Sequence, residues 1–273
     1  MVQYIYNILG GNIKMIDIHC HILPGIDDGA KDIEESLEMA RLAVNEGITK
    51  IINTSHYHPD FDYEKGEILI EKSKDFNNIL KKNNIDLEIL IGNELYYSSD
   101  LLEYIKSKEF YTLNNSRYLL IEFSQSNFPN NIVDVVYELK IRGYIPILAH
   151  VERYVQVQEN PNIIYECIKE GALIQINSNT IVGKNSKEAC KVCKILLDNN
   201  MVHFIATDSH NTNRRKPAIK DSYEYIINNY GKNTADKLFK LNPESVIQDK
   251  LIDIENPNKY KDRGFFAKLF KRK

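Results

Sequence analysis

The sequence predicts an α/β fold in which short buried strands alternate with amphipathic helices around a parallel sheet, closed or open. Seven short runs are rich in Ile, Leu or Val, as expected of strands that are buried on both faces. The segments between them carry apolar residues at helical spacing. No linker rich in Pro, Gly or Ser interrupts this pattern, so the 273-residue chain is predicted to form one main domain.

The strands and helices are predicted in strict alternation. The strands are expected at 16–22, 50–54, 87–91, 118–123, 146–149, 172–176 and 203–207. The first helix lies in DIEESLEMARLAVNEG, where Ile33, Leu37 and Ala40 share one stripe and Gly47 ends the pattern. Further helices are expected at 67–83, 130–142, 160–170, 186–199 and 217–229.

Charge and hydropathy exclude two classes of protein. Thirty-five basic residues against 38 acidic ones give a net charge of −3, so we expect no nucleic-acid partner bound through a chain-wide basic surface. The mean hydropathy is −0.39 and no apolar run approaches the length of a membrane-spanning helix.

The cysteines do not form the pattern of a disulfide framework. Cys190 and Cys193 make a C-x-x-C inside a helical segment, and a zinc ribbon would need a second such pair. We therefore expect buried, reduced helix thiols, which fit a cytoplasmic location.

Both ends of the chain are predicted to differ from the domain at 15–250. Residues 1–14 lack the features of a signal peptide and are interpreted as an N-terminal extension, with Met15 as an alternative start. Residues 251–273 form a C-terminal tail whose last fifteen residues, KYKDRGFFAKLFKRK, contain seven Lys or Arg and one Asp. This basic amphipathic tail could contact an anionic membrane surface or an acidic partner, or could simply be solvated.

Histidines and carboxylates concentrate where predicted strands end. The histidines are His19, His21, His56, His58, His150 and His210, and the acids are Asp17, Asp28, Glu94, Glu122 and Asp208. His203 is the one histidine that lies in the body of a predicted strand and not near a strand end, so it is expected to be a core or surface residue. In a β/α barrel the carboxyl ends of the strands form the active-site face, so at least five strands would deliver these groups to one place.

Imidazole and carboxylate ligands without thiolate suit Mn²⁺, Fe²⁺ or Zn²⁺. Side chains two residues apart on a strand point the same way, so His19 and His21 could share one metal. Arg153, and either Arg214 or Arg215, are placed to bind phosphate oxygens, which the planar guanidinium does with two hydrogen bonds. Each motif alone also occurs in ordinary loops, but their joint occurrence predicts a metal site that acts on phosphate.

Six stretches, taken in order, resemble the polymerase and histidinol phosphatase (PHP) superfamily. They are DIHCHILPGIDDGA, TSHYHPD, GNELYY, LLIEFS, ILAHVERY and IATDSHN, and they span roughly residues 15–250. LPGIDDG and AHVERY are most similar to the manganese-dependent bacterial protein-tyrosine phosphatases encoded beside capsule and exopolysaccharide genes. The resemblance implies the PHP fold, an irregular (β/α)7 TIM-like barrel.

The resemblance also implies a site with up to three metal ions, Mn²⁺ first, with Fe or Zn as alternatives. The first would be held by His19, His21, Asp208 and a shared Glu94, the second by Glu94, Glu122 and His150, and the third by Asp28, His56 and His210. Asp17 is expected to orient a ligand histidine. Asp27 or His58 could line the rim.

The activity implied is direct hydrolysis of phosphotyrosine by water activated between metals, with Arg153 and Arg215 or Arg214 binding the phosphate. None of the four cysteines has the Arg six positions later that cysteine-dependent phosphatases use. The implied substrate is the tyrosine cluster of a cognate membrane-associated kinase that controls polysaccharide synthesis. The protein would then act in the cytoplasm, with the basic tail as a peripheral contact at the inner face of the membrane. Members of this branch often form oligomers, so self-association is a further expectation.

Three other functions fit the sequence less well. A small-molecule phosphatase, such as a histidinol-phosphate phosphatase, would share every metal ligand and differ at the rim. A nuclease would need a basic groove, which the charge balance does not favour. A non-catalytic regulatory module would tend to lose ligands, whereas every expected position here carries one.

Overall fold

The computed structural model describes residues 14–61, 63–107, 109–126 and 128–261. The expected N-terminal extension lies outside the described residues apart from Lys14, and the basic tail lies outside them beyond Lys261. In the described ranges, none of the helices combines the length and apolar character needed to cross a membrane.

Seven parallel strands pair in chain order and close nearly into a barrel. They are Met15–Cys20 (β1), Ile48–Tyr57 (β2), Glu88–Tyr96 (β3), Tyr118–Glu122 (β4), Ile145–Leu148 (β5), Leu173–Asn177 (β6) and Phe204–Ala206 (β7). A bridge between Cys20 and Ser209 brings the end of β1 beside the chain that follows β7. The His21 amide donates to the Ser209 carbonyl at 2.8 Å, and the Asp208 amide donates to the His19 carbonyl at 2.8 Å. The predicted parallel sheet is confirmed. Of the two predicted alternatives, closed or open, the structure shows a nearly closed barrel.

Helices cover the outside of the barrel. They are Ile33–Asn45 (α1), Glu67–Lys82 (α2), Leu101–Ser107 (α3), Ile132–Ile141 (α4), Val155–Glu159 (α5), Asn162–Glu170 (α6), Ser178–Ile181 (α7), Lys187–Asp198 (α8), Lys220–Tyr230 (α9), Lys232–Asp236 (α10) and Asn242–Ile247 (α11), with a π-helical segment at Lys237–Leu241. The helices missed by sequence analysis are α3, α5, α7 and the run from α10 to α11. Three of these are too short to show a clear helical period. The helix expected at 217–229 starts later, where the Glu46 carboxylate accepts from the amides of Ile219 and Lys220 at 2.9 Å each.

One half of the barrel interior is apolar. Side chains from six strands form one buried cluster, in which Ile18, Ile147 and Phe204 are fully buried. Val246 of α11 belongs to the same cluster. Asn242, the first residue of α11, donates to the carbonyl of His203, which lies just before β7 begins. This helix therefore covers the amino ends of the strands. The opposite, carboxyl end is left for polar side chains.

Every strand differs from its predicted bounds by at least one residue, and β2 and β3 differ most. β2 and β3 continue past their apolar runs, with Ser55 opposite Asn93 and His56 opposite Glu94. The hydrophobic pattern could not predict these extensions, because their residues are polar. They are held in the barrel by contacts with one another, such as the bond from the Asn93 side chain to the Ser55 carbonyl. β7 is shorter than expected, and the placement of His203 inside that strand is wrong, since it lies immediately before Phe204.

The described part of the tail is packed against the barrel. Residues 251–261 form neither helix nor strand. Asn162 of α6 donates to the Tyr260 carbonyl at 3.1 Å and accepts from the Tyr260 amide at 2.8 Å. The Lys259 ammonium lies 3.1 Å from the Glu166 carboxylate on the same helix. The packed structure therefore extends beyond residue 250.

The four cysteines are free. Cys20, Cys167 and Cys193 are buried, whereas Cys190 on α8 is partly exposed. The expectation of buried helix thiols thus holds for Cys193 but not for its neighbour in the C-x-x-C.

His203 should make the fold sensitive to acid. Its Nδ1 accepts from the Ile174 amide at 3.1 Å. Burial, assisted by the charge of Lys237, lowers the pKa of His203 from 6.5 to about 3. The folded protein thus keeps a neutral imidazole at a pH where the unfolded chain binds a proton, so stability falls as pH drops below about 6.5. At pH 5 the free energy of unfolding should be lower by about 2 kcal/mol from this group alone.

The test compares wild type with His203→Asn, whose side-chain oxygen can still accept from Ile174. Urea unfolding of metal-stripped protein at pH 7.5 and pH 5.0 should show a smaller acid loss in the variant, by about 2 kcal/mol. An equal loss in both proteins would contradict the assignment.

Candidate metal centre

The candidate ligands meet at the carboxyl end of the barrel, and a local irregularity in β1 directs two of them inward. The pairing of β1 with β2 shifts register between Asp17 and Cys20. In a regular strand, Ile18 and His19 would point to opposite faces. Here Ile18 lies in the apolar interior, and the Nε2 atoms of His19 and His21 still lie 3.2 and 3.3 Å from Glu94 Oε2. Such irregularities re-aim side chains next to functional sites.

Asp17 stabilises this irregularity. Its Oδ1 accepts from the His19 amide at 3.3 Å and from the Thr207 amide at 3.0 Å, which ties β1 to the end of β7. Burial raises the pKa of Asp17 to about 6. Asp17 thus holds the backbone of His19, which agrees with the expectation that it orients a candidate ligand histidine.

Asp27 orients the ring of another candidate ligand, His21. Its Oδ2 lies 2.8 Å from His21 Nδ1 and accepts from the His56 amide at 2.9 Å. Burial would raise the pKa of Asp27, but His21 lowers it to about 2. Burial likewise opposes protonation of His21, but Asp27 raises the pKa of that ring to about 9. Asp27 therefore lies behind a candidate ligand, and not at the rim.

Glu94 lies at the centre of the site and is 1% exposed. Its Oε2 lies 3.2 to 3.3 Å from nitrogen atoms of His19, His21 and His56, and its Oε1 lies 2.9 Å from His150 Nε2. Burial would raise the pKa of Glu94, but the surrounding imidazoles, His19 first, hold it well below its usual range. This central position is the one expected of a carboxylate shared between metals.

Three further candidate ligands, Asp28, Glu122 and His210, lie around His56 on the outer side of the site. Its Nδ1 lies 2.9 Å from Glu122, and its Nε2 lies 3.3 Å from Asp28. Asp28 Oδ1 also lies 3.5 Å from His210 Nε2. Burial disfavours the charged imidazole, yet Asp28 and Glu122 raise the pKa of His56 to about 12. Because the side chain of Asp28 is 58% exposed, this side of the site opens to solvent.

Asp208 connects the candidate ligands to the arginines. Its Oδ1 lies 3.5 Å from His19 Nε2. Arg153 bonds its Oδ2 at 2.8 Å, and Arg215 bonds its Oδ1 at 2.5 Å. Arg214 is exposed to solvent, whereas Arg215 lines the pocket described below. The sequence left Arg214 and Arg215 as alternatives, and Arg215 is the one that reaches the site.

The residues fit a multi-metal centre. Three groups offer ligand atoms within 4.8 Å of one another: His21, Asp28, His56 and His210; His19, His21 and Glu94; and His56, Glu94 and Glu122. Three buried atoms of these groups, His56 Nδ1, Glu94 Oε2 and His210 Nε2, lie close to other candidate ligands but form no hydrogen bond of acceptable geometry. Buried polar atoms are normally satisfied, so these are available as ligands. The nitrogen and oxygen donors suit Mn²⁺, Fe²⁺ or Zn²⁺.

A pocket of about 300 Å³ opens over this centre. It is lined by Asp28, His56, Phe61, Tyr63, Glu94, Tyr96, Glu122, Gln125, His150, Arg153 and Arg215. The pocket thus combines two guanidinium groups with three aromatic rings. Phe61 is 42% exposed, and its ring lies 4.5 Å from the ring of His58, which is buried beneath it. His58 supports the rim rather than lining it.

Sequence analysis missed two residues of the site, Gln175 and Asn177 on β6. Both are buried and hydrogen-bonded to candidate ligands. The signal was present as two amides, two positions apart, inside the otherwise apolar run LIQIN.

A family model described as capsular polysaccharide synthesis, CpsB/CapC, matches residues 15–248. The chain belongs to the CpsB/CapC family. It is 33% identical to tyrosine-protein phosphatase YwqE of Bacillus subtilis over 253 residues, which cover 93% of this chain and 99% of YwqE. It is 35% identical to tyrosine-protein phosphatase CpsB of Streptococcus agalactiae over 243 residues, covering 87% of this chain and 100% of that protein.

Solved structures support the same family and fold. One match comes from crystal structures of YwqE from B. subtilis and CpsB from Streptococcus pneumoniae, described as unique metal-dependent tyrosine phosphatases. It has a TM-score of 0.86 at 33% identity and covers 90% of this chain and 100% of that one. A histidinol phosphate phosphatase of Lactococcus lactis has a TM-score of 0.50 at 16% identity, covering 81% and 94%, and shows the shared fold alone. The expected PHP-type barrel is confirmed.

Metal binding should stabilise the protein. A ligand that binds only the folded state contributes about 2.7 kcal/mol at one hundred times its dissociation constant. For a domain of this size this should raise the midpoint of thermal unfolding of metal-stripped protein by roughly 5–10 °C. The measurement is a thermal scan with and without added Mn²⁺. Glu94→Gln should lose most of the shift and His203→Asn should keep it; equal shifts in both variants would argue against a centre built on Glu94.

Proposed function

We propose that this protein is a metal-dependent protein-tyrosine phosphatase that hydrolyses phosphotyrosine directly. The observation that carries this proposal is the juxtaposition of nine candidate ligands with two arginines around one open pocket. The family relationship supports it, since the relatives YwqE and CpsB are tyrosine-protein phosphatases.

The proposed ligands are His19, His21, Asp28, His56, Glu94, Glu122, His150, Asp208 and His210, with Mn²⁺ as the proposed metal. When bound, the metal ions would neutralise charge on phosphoryl oxygens and lower the pKa of water. Arg153 and Arg215 are proposed to bind phosphate, because their guanidinium groups line the pocket and are held in place by Asp208. Glu94 keeps its carboxylate ionised among the imidazoles, and so remains able to bind cations.

The aromatic residues favour a phosphotyrosine over a small amine phosphate. Phe61, Tyr63 and Tyr96 offer ring faces at the mouth of the pocket, where an aromatic leaving group would pack. The mouth is also open, which suits a phosphate carried on a protein.

A thiolate nucleophile does not fit these cysteines. Cys20 is the one nearest the ligands in sequence, and its Sγ lies 3.0 Å from Ser209 Oγ. Burial holds the pKa of Cys20 well above its usual range, and burial also raises the pKa of Cys167 to about 12. Thiols of this kind are inert as nucleophiles near neutral pH.

Hydrolysis of a phosphotyrosine peptide by metal-stripped protein, with Mn²⁺ added back, tests the proposal. Activity should require the metal and fall by at least about 100-fold in His150→Ala, because the metal and its ligand act as one unit. Histidinol phosphate should be a poorer substrate. Faster hydrolysis of histidinol phosphate would favour the small-molecule phosphatase, and activity that survives both metal removal and the substitution would reject the metal mechanism.

The two neighbouring arginines provide a matched pair of variants. Arg215→Ala should lower kcat/KM for the peptide by about 100-fold, since one charge-assisted contact to a phosphoryl group is lost. Arg214→Ala removes the same charge from an exposed position and should stay within about twofold of wild type. Equal losses in the two variants would mean that net charge, and not contact with phosphate, is responsible.

We also propose that the substrate is the phosphorylated tyrosine cluster of a cytoplasmic kinase domain in polysaccharide synthesis, and that the basic tail keeps the enzyme near the membrane carrying that kinase. The support is the family's link to capsular polysaccharide and the composition of the tail. Removing residues 262–273 should abolish co-sedimentation with anionic vesicles while leaving peptide hydrolysis unchanged. Unchanged sedimentation would reject the role of the tail.

A further inference from the structure

β6 differs from its neighbours in the barrel. β5 is followed, after Ala149, by His150, and β7 is followed closely by Asp208 and His210. The sequence of β6, LIQIN, contains neither histidine nor carboxylate. Its polar residues are Gln175 and Asn177, which are two positions apart and therefore share one face of the strand. They are 0% and 3% exposed. We call these two residues the β6 amide pair.

The Gln175 carbonyl oxygen bonds two candidate ligands. Its Oε1 accepts from the backbone amide of His150 at 2.8 Å and lies 3.1 Å from His19 Nδ1. A backbone N–H can only donate, so the atom that faces it must be the amide oxygen. The same oxygen can only accept from His19, which places the imidazole proton on Nδ1. The Nε2 lone pair of His19 is thereby left facing Glu94, 3.2 Å away.

The remaining amide groups continue this network to a third candidate ligand. Gln175 Nε2 donates to Asn177 Oδ1 at 2.8 Å, and Asn177 Nδ2 donates to Asp208 Oδ2 at 2.9 Å. Each bond has a fixed direction, because the network starts at a backbone donor and ends at a carboxylate. The β6 amide pair thus connects His19 on β1 with His150, which lies beyond β5, and Asp208, which lies beyond β7.

Two of the connected residues have an unfavourable backbone conformation. His150 has φ of 33° and Asp208 has φ of 52°, in the left-handed region that residues with a β-carbon adopt at a cost. Such conformations persist where the surroundings determine them. Gln175 bonds the amide of His150, and Asn177 bonds the side chain of Asp208.

We propose that Gln175 and Asn177 are positioning residues of the metal centre. They set the tautomer of His19 and hold His150 and Asp208 in place, so metal affinity depends on a strand that supplies no ligand. This inference rests on the proposed function only in requiring that the centre bind metal.

The test is Gln175→Met, which keeps the length of the side chain and removes both its donor and its acceptor. We expect Mn²⁺ affinity, measured by competition with a chelator, to fall about 10- to 100-fold, as is typical when a partner behind a metal ligand is lost. Asn177→Leu should weaken binding in the same direction. In ¹⁵N-histidine-labelled protein loaded with Zn²⁺, the His19 Nδ1–H should exchange slowly with water in wild type and faster in Gln175→Met.

Asn77→Leu is the matched control. Asn77, half-buried on α2, also bridges backbone groups: it accepts from the amide of Ile89, at the start of β3, at 3.0 Å and donates to the Ile89 carbonyl at 2.9 Å. This variant should lose stability without losing metal affinity. If Gln175→Met does not fold, Gln175→Glu retains the acceptor and should keep the slow exchange of the His19 proton.

The outcomes separate the two proposals. A folded Gln175→Met with wild-type affinity and wild-type exchange overturns the role of the β6 amide pair alone. Rapid exchange of the His19 proton in folded Gln175→Glu would overturn it as well. A wild-type protein that binds no Mn²⁺ overturns the proposed metal centre, and this inference with it.

Discussion

The burial of Glu94 among four imidazoles is the constraint on which the rest of the structure depends. A carboxylate that is 1% exposed would be costly without partners, and here His19, His21, His56 and His150 provide them. These rings come from the ends of three different strands. The barrel must therefore place separate segments of chain within a few ångströms of one carboxylate, and a parallel closed sheet does so because all its strands end on the same face.

The amino-terminal half of the barrel contributes stability, and the carboxyl-terminal half contains the candidate site. The amino-terminal half is filled by side chains such as Ile147 and Phe204 and covered by α11, so it contributes apolar burial. The carboxyl-terminal half contains the strained backbone of His150 and Asp208 and the register shift in β1. Strain of this kind is tolerated at functional sites when the surroundings impose it. Asp17 and the β6 amide pair are the buried polar groups that do so here.

Asp208 couples the two kinds of chemistry in the site. It lies beside His19 within the candidate metal centre and is bonded to Arg153 and Arg215 at the same time. A cation bound near Asp208 would compete with these guanidinium groups for the same oxygens. In the proposed function, metal binding and phosphate binding would therefore be linked through one carboxylate.

The sequence by itself determined the fold class and located the candidate ligands. Strands buried on both faces are rich in Ile, Leu and Val, and candidate ligands such as His150 and Glu94 lie just beyond the end of an apolar run, so both can be located from the local pattern. It did not determine how far β2 and β3 extend, because Ser55 and Asn93 are held by each other and not by hydrophobicity. Nor could it choose between Arg214 and Arg215, or place Asp27 behind His21 instead of at the rim. Those were decided by tertiary structure: Arg215, and not Arg214, reaches Asp208. The hydrogen bonds that the Thr207 amide donates to Asp17 and the His56 amide donates to Asp27 form only because closure of the barrel joins residues far apart in the chain.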